Sequence, residues 1–260
     1  MEERILSAAE AAEFGEFKRN KRETEIALAL GKLIVDASRR ETDAVLLKRA
    51  CESAKRLKAA GVLVSPVNVA AAHRLLEGST TCVCCTVGGT GESLTCVKKA
   101  EAKRAMRQGA REIRLVPCYS ALAGGNYAYV KKELRRIRRA VKNCTLVLSV
   151  DDRGLSEEQV LTGVRAAIDA EADGVCVRGE TAILNRVQAS GRGRVRAEAA
   201  GVENGEQMRL LLKAGAARAV TYSGERIAED LRKAAEAELA AQEGRAVSSE
   251  GQGTEEETEK

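Results

Sequence analysis

Short apolar runs alternate with longer amphipathic segments along this chain from Lys32 onward. The short runs are rich in Val, Leu, Ile and Cys and have the length of buried strands, about four to eight residues. The amphipathic segments repeat their apolar positions at helical spacing. The pattern predicts eight strands, which begin at Leu33, Gly61, Cys82, Glu112, Thr145, Gly174, Arg194 and Ala217.

Helices are predicted between these strands. Regular alternation of strand and helix predicts an α/β fold with a parallel sheet, and the strand count favours a closed TIM (β/α)₈ barrel. A doubly wound open sheet remains the alternative, because periodicity alone does not prove closure. The clearer helical segments are 44–60, 69–77, 94–109, 127–142, 156–170, 203–214 and 225–241.

The two ends of the chain differ from this repeating part. Residues 1–31 predict a helical extension that packs outside the main domain, and residues 32–241 form the predicted barrel. Residues 242–260 are mostly Gly, Ser, Thr, Gln and Glu. Such a segment cannot offset its ordering entropy by burying apolar surface, so it predicts a disordered acidic tail.

The composition restricts the core and the compartment. The 260 residues are 44% apolar but only 2% aromatic, so the core must consist of Ala, Val, Leu and Ile, as barrel interiors do. No apolar run reaches the length of a membrane span, and the first residues lack a signal peptide's basic-then-apolar order. We therefore expect a cytoplasmic protein with reduced thiols. Cys82, Cys84 and Cys85 lack zinc-site spacing, so we expect core thiols there and no cofactor.

Positive charge is unevenly distributed along the chain. The net charge is +5, but residues 241–260 sum to −4 and leave +9 on the rest. This balance favours anionic ligands or acidic partner surfaces. The strongest concentration lies on the helix predicted over 127–142, whose polar face carries Lys131, Lys132, Arg135, Arg136, Arg138 and Arg139.

Two interpretations of this basic surface stay open. An ordinary solvated face is one of them, and a docking surface for an acidic protein, such as a cytoskeletal filament or an enzyme, is the other. Nucleic acid is less favoured, because aromatic side chains for stacking are nearly absent. The preceding barrel helix would extend the surface with Lys98, Lys99, Lys103, Arg104 and Arg107.

Several motifs are similar, in order, to those of one enzyme family. The run CCTVGGTGESLTCVKKAEAKRAMRQGAREIRLVPCYSALAGGNYAYV from Cys84 to Val130 resembles the CTVIGFP, EVKAFEA, GADEIDMV and GALKSGDYELV motifs of deoxyribose-phosphate aldolases. Further matches are VSP at Val64–Pro66 and the barrel's last motif at Ala214–Gly224. The resemblance covers about residues 32–232. It implies a TIM barrel and, since family members are often dimers, a homodimer.

The resemblance implies a class I aldolase, which cleaves 2-deoxyribose 5-phosphate to glyceraldehyde 3-phosphate and acetaldehyde through a lysine imine. The family's strand-six motif GADFVKTSTG, laid over EADGVCVRGE, places its lysine on Cys176. Its strand-four aspartate falls on Arg114 and its second lysine on Ala197. No lysine occurs between Asn143 and Leu212 in any alignment. The sequence therefore predicts a pseudoenzyme, and the alternative is an active aldolase or a barrel with new chemistry.

Parts of the family's anion site are retained. They are Asp36 on strand one, Gly201 after strand seven, and Ser223 and Gly224 after strand eight. Arg114 and Arg178 are expected at the mouth of the barrel, joined by Arg196 if its strand is shifted by one residue. These guanidiniums could hold a sugar phosphate or another anion. The favoured interpretation is that they pair instead with acids, namely Asp36, Asp151, Asp152 or Glu180.

Cys176 is also a candidate nucleophile in its own right. A reactive thiol needs a lowered pKa, which neighbouring Arg178 would favour. The predicted strands contain no histidine that could act as its base, so an inert buried thiol is the favoured interpretation.

Overall fold

Eight parallel strands close into a barrel in the computed structural model, which describes residues 8–38 and 44–251. Each strand pairs with the next, and β1 pairs with β8 to complete the ring. This closure confirms the predicted TIM barrel and excludes the open sheet. The strands are β1 (Leu33–Asp36), β2 (Gly61–Val64), β3 (Cys82–Val87), β4 (Glu112–Leu115), β5 (Thr145–Ser149), β6 (Gly174–Arg178), β7 (Arg196–Ala200) and β8 (Arg218–Thr221).

Helices surround the barrel and connect its strands. Every segment that the periodicity marked as a clear helix contains one, and a short 3₁₀ turn follows β2 at Pro66–Asn68. The helices are α1 (Ala8–Leu30), α2 (Ala44–Arg56), α3 (Val69–Leu75), α4 (Thr95–Arg107), α5 (Tyr119–Ala123), α6 (Tyr127–Ala140), α7 (Glu157–Asp169), α8 (Thr181–Gly191), α9 (Gly205–Lys213) and α10 (Gly224–Gly251).

Alternate residues of each strand point into the barrel or out toward the helices. Outward side chains, such as Val62, Ile113 and Leu146, join the buried faces of the helices in one large apolar core. The inward positions also carry charged side chains, so the interior is only partly apolar. Its apolar side chains form a separate small cluster of Ile34, Leu63, Cys84, Val147, Cys176 and Val220.

Two local features differ from the sequence prediction. Strand β7 begins at Arg196 instead of Arg194, because the Arg194 N–H donates to the Gly191 carbonyl at 2.9 Å and thus belongs to a turn. Helix α8 escaped prediction because its buried positions, Leu184 and Val187, are separated by polar residues on a largely uncharged segment.

The terminal helices pack against each other outside the barrel. Helix α1 lies along α10, and the Arg22 guanidinium pairs with Glu238 at 2.6 Å. Helix α10 continues to Gly251, past the predicted boundary at Ala241. The remainder of the predicted acidic tail, residues 252–260, lies outside the described residues. No helix in the described part of the chain combines the length and the apolar character that crossing a bilayer requires.

A buried ion pair joins α4 and α6. Lys98 is fully buried, so its expected place on the basic surface is wrong. Its ammonium lies 2.8 Å from Glu133 Oε1 and donates to the Val116 carbonyl at 3.0 Å. The other carboxylate oxygen of Glu133 accepts from the Cys118 N–H at 2.9 Å. The pair therefore fixes both helices to the segment that follows β4.

We predict that Lys98→Met lowers the free energy of unfolding by about 3–5 kcal/mol, because it leaves the Glu133 carboxylate buried without a counterion. Urea unfolding of the purified protein measures this. The double variant Lys98→Met/Glu133→Gln should recover part of the loss, because a neutral amide still accepts from the Cys118 N–H. Equal losses in the single and double variants would contradict the assignment.

Candidate functional site

A cluster of charged side chains fills the centre of the barrel. Arg114, at an inward position of β4, is 1% exposed, and its Nε donates to Glu112 Oε1 at 2.8 Å. Its Nη2 donates to Glu198 Oε2 of β7, which is fully buried. Arg114 is therefore enclosed in the core, and the expectation that it stands at the mouth is wrong. The expected acid partners are also wrong, because Glu112 and Glu198 occupy that role.

Two further arginines complete this cluster at the amino-terminal ends of their strands. Arg218 begins β8 and donates to Glu112 Oε2, and Arg196 begins β7 with its Nε 3.7 Å from Glu198 Oε1. Their side chains are 24% and 40% exposed. Arg196 thus lies at the floor of the barrel, opposite the carboxyl-terminal mouth where sequence reasoning put it. We call these five residues, Glu112, Arg114, Arg196, Glu198 and Arg218, the barrel ion cluster.

The Glu112 carboxylate stays ionised because of its two cations. Burial alone would raise the pKa of Glu112, but Arg114 and Arg218 outweigh it and hold that pKa below its ordinary value. The Nη1 group of Arg114 and the Oε1 atom of Glu198 have no hydrogen-bond partner among the described residues. The barrel interior therefore contains a donor group and an acceptor atom that make no hydrogen bond with the described residues.

Cysteine thiols line the interior beside the ion cluster. Cys176 is 1% exposed, and burial raises its pKa to about 12, so it is a thiol at neutral pH. Cys82 and Cys84 face each other with 3.7 Å between their sulfur atoms, and their hydrogen bond lowers the pKa of Cys82 and raises that of Cys84. Gly61 on β2 makes room for this pair, since a Cβ there would lie 2.7 Å from the Cys84 sulfur. In the described residues no three His, Cys, Asp or Glu side chains group as metal ligands.

Three of the predicted ligand-binding residues meet at one cleft on the carboxyl-terminal side. Asp36, Ser223 and Gly224 line a space of about 380 Å³ between β1, α2 and the start of α10. Asp36 accepts from both the N–H and the hydroxyl of Ser38, at 2.9 and 2.6 Å. Three arginines also line the cleft, namely Arg49, Arg56 and Arg226. One of them, Arg56, is paired with Glu225 at 2.5 Å.

Arg178 and Gly201 lie together at a different place. Arg178 ends β6, and its N–H donates to Asp152 Oδ1 at 3.1 Å. Gly201 follows β7 with a φ of +75°, and a Cβ there would lie 3.6 Å from Arg178 Nη2. The six residues predicted to bind a ligand are therefore divided between the core, this position and the cleft.

Relatives of this chain are aldolases. No model of a known protein family matches it. The deoxyribose-phosphate aldolase of Aquifex aeolicus is 33% identical over 181 residues, which cover 66% of this chain and 82% of that enzyme. The chain belongs to the deoxyribose-phosphate aldolase family. The deoxyribose-phosphate aldolase of Lysinibacillus sphaericus supports this with 31% identity over 68% of this chain and 84% of that protein.

Solved structures of aldolases share the fold. The structure described as "QR15, an Aldolase" superposes with a TM-score of 0.73 at 28% identity, over 78% of this chain and 95% of that one. The tetrameric deoxyribose phosphate aldolase of Aeropyrum pernix has a TM-score of 0.75 at 18% identity, over 87% of this chain and 99% of its own. At 18% identity, the likeness to the Aeropyrum pernix structure supports the fold alone.

This deoxyribose-phosphate aldolase family member has no lysine in any of its eight strands. Among the described residues Lys98 is the only buried lysine, and it lies between helices outside the barrel. The resemblance places the family's second lysine on Ala197. In the structure Ala197 faces the outer core between strands and helices, not the barrel interior. The inward positions of β7 are held by Arg196, Glu198 and Ala200.

Sequence reasoning missed the acids and one arginine of the barrel ion cluster. Glu112 and Arg114 are two residues apart in one predicted strand, as are Arg196 and Glu198 in another. Opposite charges at alternate positions of buried strands signal inward ion pairs, because alternate residues share a face. That signal was available, whereas the contact between β4 and β7 across the barrel was not.

We predict that Arg218→Gln lowers the free energy of unfolding by about 1.5–3 kcal/mol at pH 7, because Glu112 loses a charged donor. Because the pKa of Glu112 is lower in the folded than in the unfolded state, its ionised form stabilises the fold at pH values above the unfolded pKa. This stabilisation is lost as the pH falls. The difference between wild type and variant should therefore be full above about pH 4.3 and shrink below it. Urea unfolding between neutral and acidic pH measures it.

Arg209→Gln serves as the control for this experiment. Arg209 pairs with Glu238 on the surface, and its side chain is 51% exposed. Its loss should cost little at any pH, because exposed ion pairs are screened by water. A pH-independent effect of Arg218→Gln would contradict the role given to Glu112.

Proposed function

We propose that this aldolase-family barrel does not perform retro-aldol cleavage through an imine and acts by binding. A single observation carries the proposal: no barrel strand supplies an amine, and Cys176 stands at the position that the resemblance assigns to the reactive lysine. An imine forms only on a neutral primary amine. A thiol cannot form one, and a guanidinium remains protonated.

The buried lysine does not provide a substitute nucleophile in this proposal. Lys98 has no exposed surface, and its ammonium is held by Glu133 and the Val116 carbonyl. With the Glu133 carboxylate at 2.8 Å and no exposed surface, its nitrogen is not accessible to a substrate carbonyl. It also lies between α4 and α6, where it is held to the segment that follows β4.

The barrel ion cluster supports the same proposal. Arg114 stands where the resemblance places the family's acid/base aspartate, and a guanidinium cannot exchange a proton near neutral pH. Its two carboxylate partners hold it in the centre of the barrel. Charged side chains therefore occupy interior space at the position where the substrate's reacting carbons would need room.

The binding role is assigned to two regions. The first is the basic outer helix α6, whose charge suits an acidic protein partner, either a cytoskeletal filament or an enzyme. The second is the carboxyl-terminal side of the barrel, where Arg178 beside Gly201 and the cleft at Asp36, Ser223 and Gly224 could take a sugar phosphate or another anion.

An active deoxyribose-phosphate aldolase is the second candidate. The observation that favours it is the 33% identity with the Aquifex aeolicus enzyme across 82% of that enzyme's length. Such an activity requires an amine from outside the strands to reach the barrel mouth. The two candidates differ in one measurable product, a reduced covalent adduct.

Borohydride trapping tests the proposal. The purified chain is incubated with 2-deoxyribose 5-phosphate and sodium borohydride, and its intact mass is measured. We expect no mass increase, because no barrel strand supplies an amine to form the imine that borohydride reduces. The Aquifex aeolicus relative, treated in parallel, is the positive control.

A mass increase that peptide mapping places on a lysine of this chain would overturn the proposal and support the active aldolase. Release of acetaldehyde above background in a coupled assay would do the same. Lys98→Met should change neither measurement, because the proposal gives Lys98 a structural role only.

A further inference from the structure

Basic residues form two stripes on α6 that differ in their surroundings. Lys131, Arg135 and Arg138 repeat at intervals of four and three residues and face α7. There Lys131 lies 3.5 Å from Asp169, the Arg135 Nε donates to the Asp169 carbonyl at 3.2 Å, and Arg138 pairs with Asp173 at 2.8 Å. Two cations of this stripe thus have acid partners within the fold, and the third donates to a backbone carbonyl.

The second stripe has the same residue types and spacing but no such partners. Lys132, Arg136 and Arg139 are exposed, and none forms an ion pair with the described residues. Their positions in the helical repeat place them on the solvent side of α6, opposite the buried Val130, Leu134 and Ile137, and α4 also packs against α6. Helix α4 adds a stripe of its own at intervals of four residues, made of Lys99, Lys103 and Arg107.

We call the surface between these two stripes the basic groove. Its six residues are Lys99, Lys103, Arg107, Lys132, Arg136 and Arg139.

The acids of both helices are engaged elsewhere. Helix α4 contains one acid, Glu101, which accepts from the Gly88 N–H at 3.0 Å, and α6 contains one, Glu133, which is buried against Lys98. The basic groove therefore has no negative charge of its own. Like charges at helical i, i+4 spacing destabilise a helix, so an unpartnered groove of this kind has a cost.

We propose that the basic groove binds an acidic helix of a partner protein. The proposal rests on the proposed function only in assuming that the chain acts by binding. Both α4 and α6 run antiparallel to the barrel strands, and their 13 and 14 residues make each helix about 20 Å long. A helix laid along it would present carboxylates at i, i+4 and i+7, the same repeat as the lysines and arginines that flank it.

Apolar side chains at one end of the groove favour a protein over a nucleic acid. Leu94 precedes α4 and is 68% exposed, and Tyr129 lies in the first turn of α6 and is 38% exposed. Exposed tyrosine is one of the residue types enriched in protein interfaces. One tyrosine does not form the series of stacking platforms that single-stranded nucleic acids need.

Fluorescence anisotropy with a synthetic helix tests the proposal. The probe is a labelled, alanine-rich helical peptide with glutamates at i, i+4, i+7 and i+11 along one face. We expect Lys132→Gln/Arg136→Gln to weaken its binding about tenfold, because two charged contacts in the groove are lost. We expect Lys103→Gln/Arg107→Gln to have a similar effect, because these residues form the opposite wall.

The matched control is Lys131→Gln/Arg135→Gln. It removes the same residue types at the same spacing on the same helix, so the change in net charge is identical. Binding should stay within about threefold of wild type, because these residues face α7. Thermal unfolding of all three variants shows whether each remains folded.

Several results would overturn the proposal. Equal weakening by Lys132→Gln/Arg136→Gln and by the control would show that the peptide follows net charge and not the groove. Tighter binding of a 20-base-pair DNA duplex, lost in the same variant, would make the surface a nucleic-acid site. The absence of any peptide binding by wild type would also reject the groove. Borohydride trapping has its outcome independently of these, so failure of the groove and failure of the proposed function are distinguishable.

Discussion

The interior of this barrel depends on the placement of one buried guanidinium. Arg114 is enclosed by β4 and β7, and without Glu112 and Glu198 its charge would be too costly to bury. The two acids constrain their own strands in turn, since each must face inward at a depth that meets the arginine. Strand register, interior polarity and the space left for a ligand all follow from that requirement. The small apolar cluster around Cys176 then fills what the charged groups leave.

Charged side chains are paired inside the barrel but only partly paired on its outer surface. Inside, and at Lys98 with Glu133, every buried charge has a counterion within the fold. On α6, the stripe toward α7 is matched by Asp169 and Asp173, but the stripe toward α4 is not. Paired buried charges hold the fold together, whereas the stripe without ion pairs is the region that we propose binds a partner. The proposed loss of imine chemistry and the proposed binding role are compatible for this reason.

Periodicity alone predicted most of the fold, because apolar runs and helical stripes are local properties. In the helix predicted over 127–142, the structure buries Val130, Leu134 and Ile137 at helical spacing and exposes Lys132 and Arg136. Contacts across the barrel are not local, so the partners of Arg114 were misassigned, and Arg196 lies at the floor instead of the mouth that a one-residue shift of its strand would have implied. Ala197 was misplaced for a related reason: the turn at Gly191 to Arg194 delays β7, and alignment by motif does not detect which face a residue takes. The six predicted ligand-binding residues lie at three places in the structure, because spacing in sequence does not show how deep in the barrel a side chain lies.

The barrel ion cluster holds three cations and two anions, so it is not electroneutral. Its excess lies toward Arg196 and Arg218, the two members that reach solvent at the floor. Dissolved salt can approach them there, within the roughly 10 Å over which ions in dilute buffer act. The contact between Arg114 and Glu198 is sealed from those ions. Added salt therefore weakens the attraction at Arg196 and Arg218 at the floor of the barrel. It screens the buried pair of Arg114 and Glu198 much less.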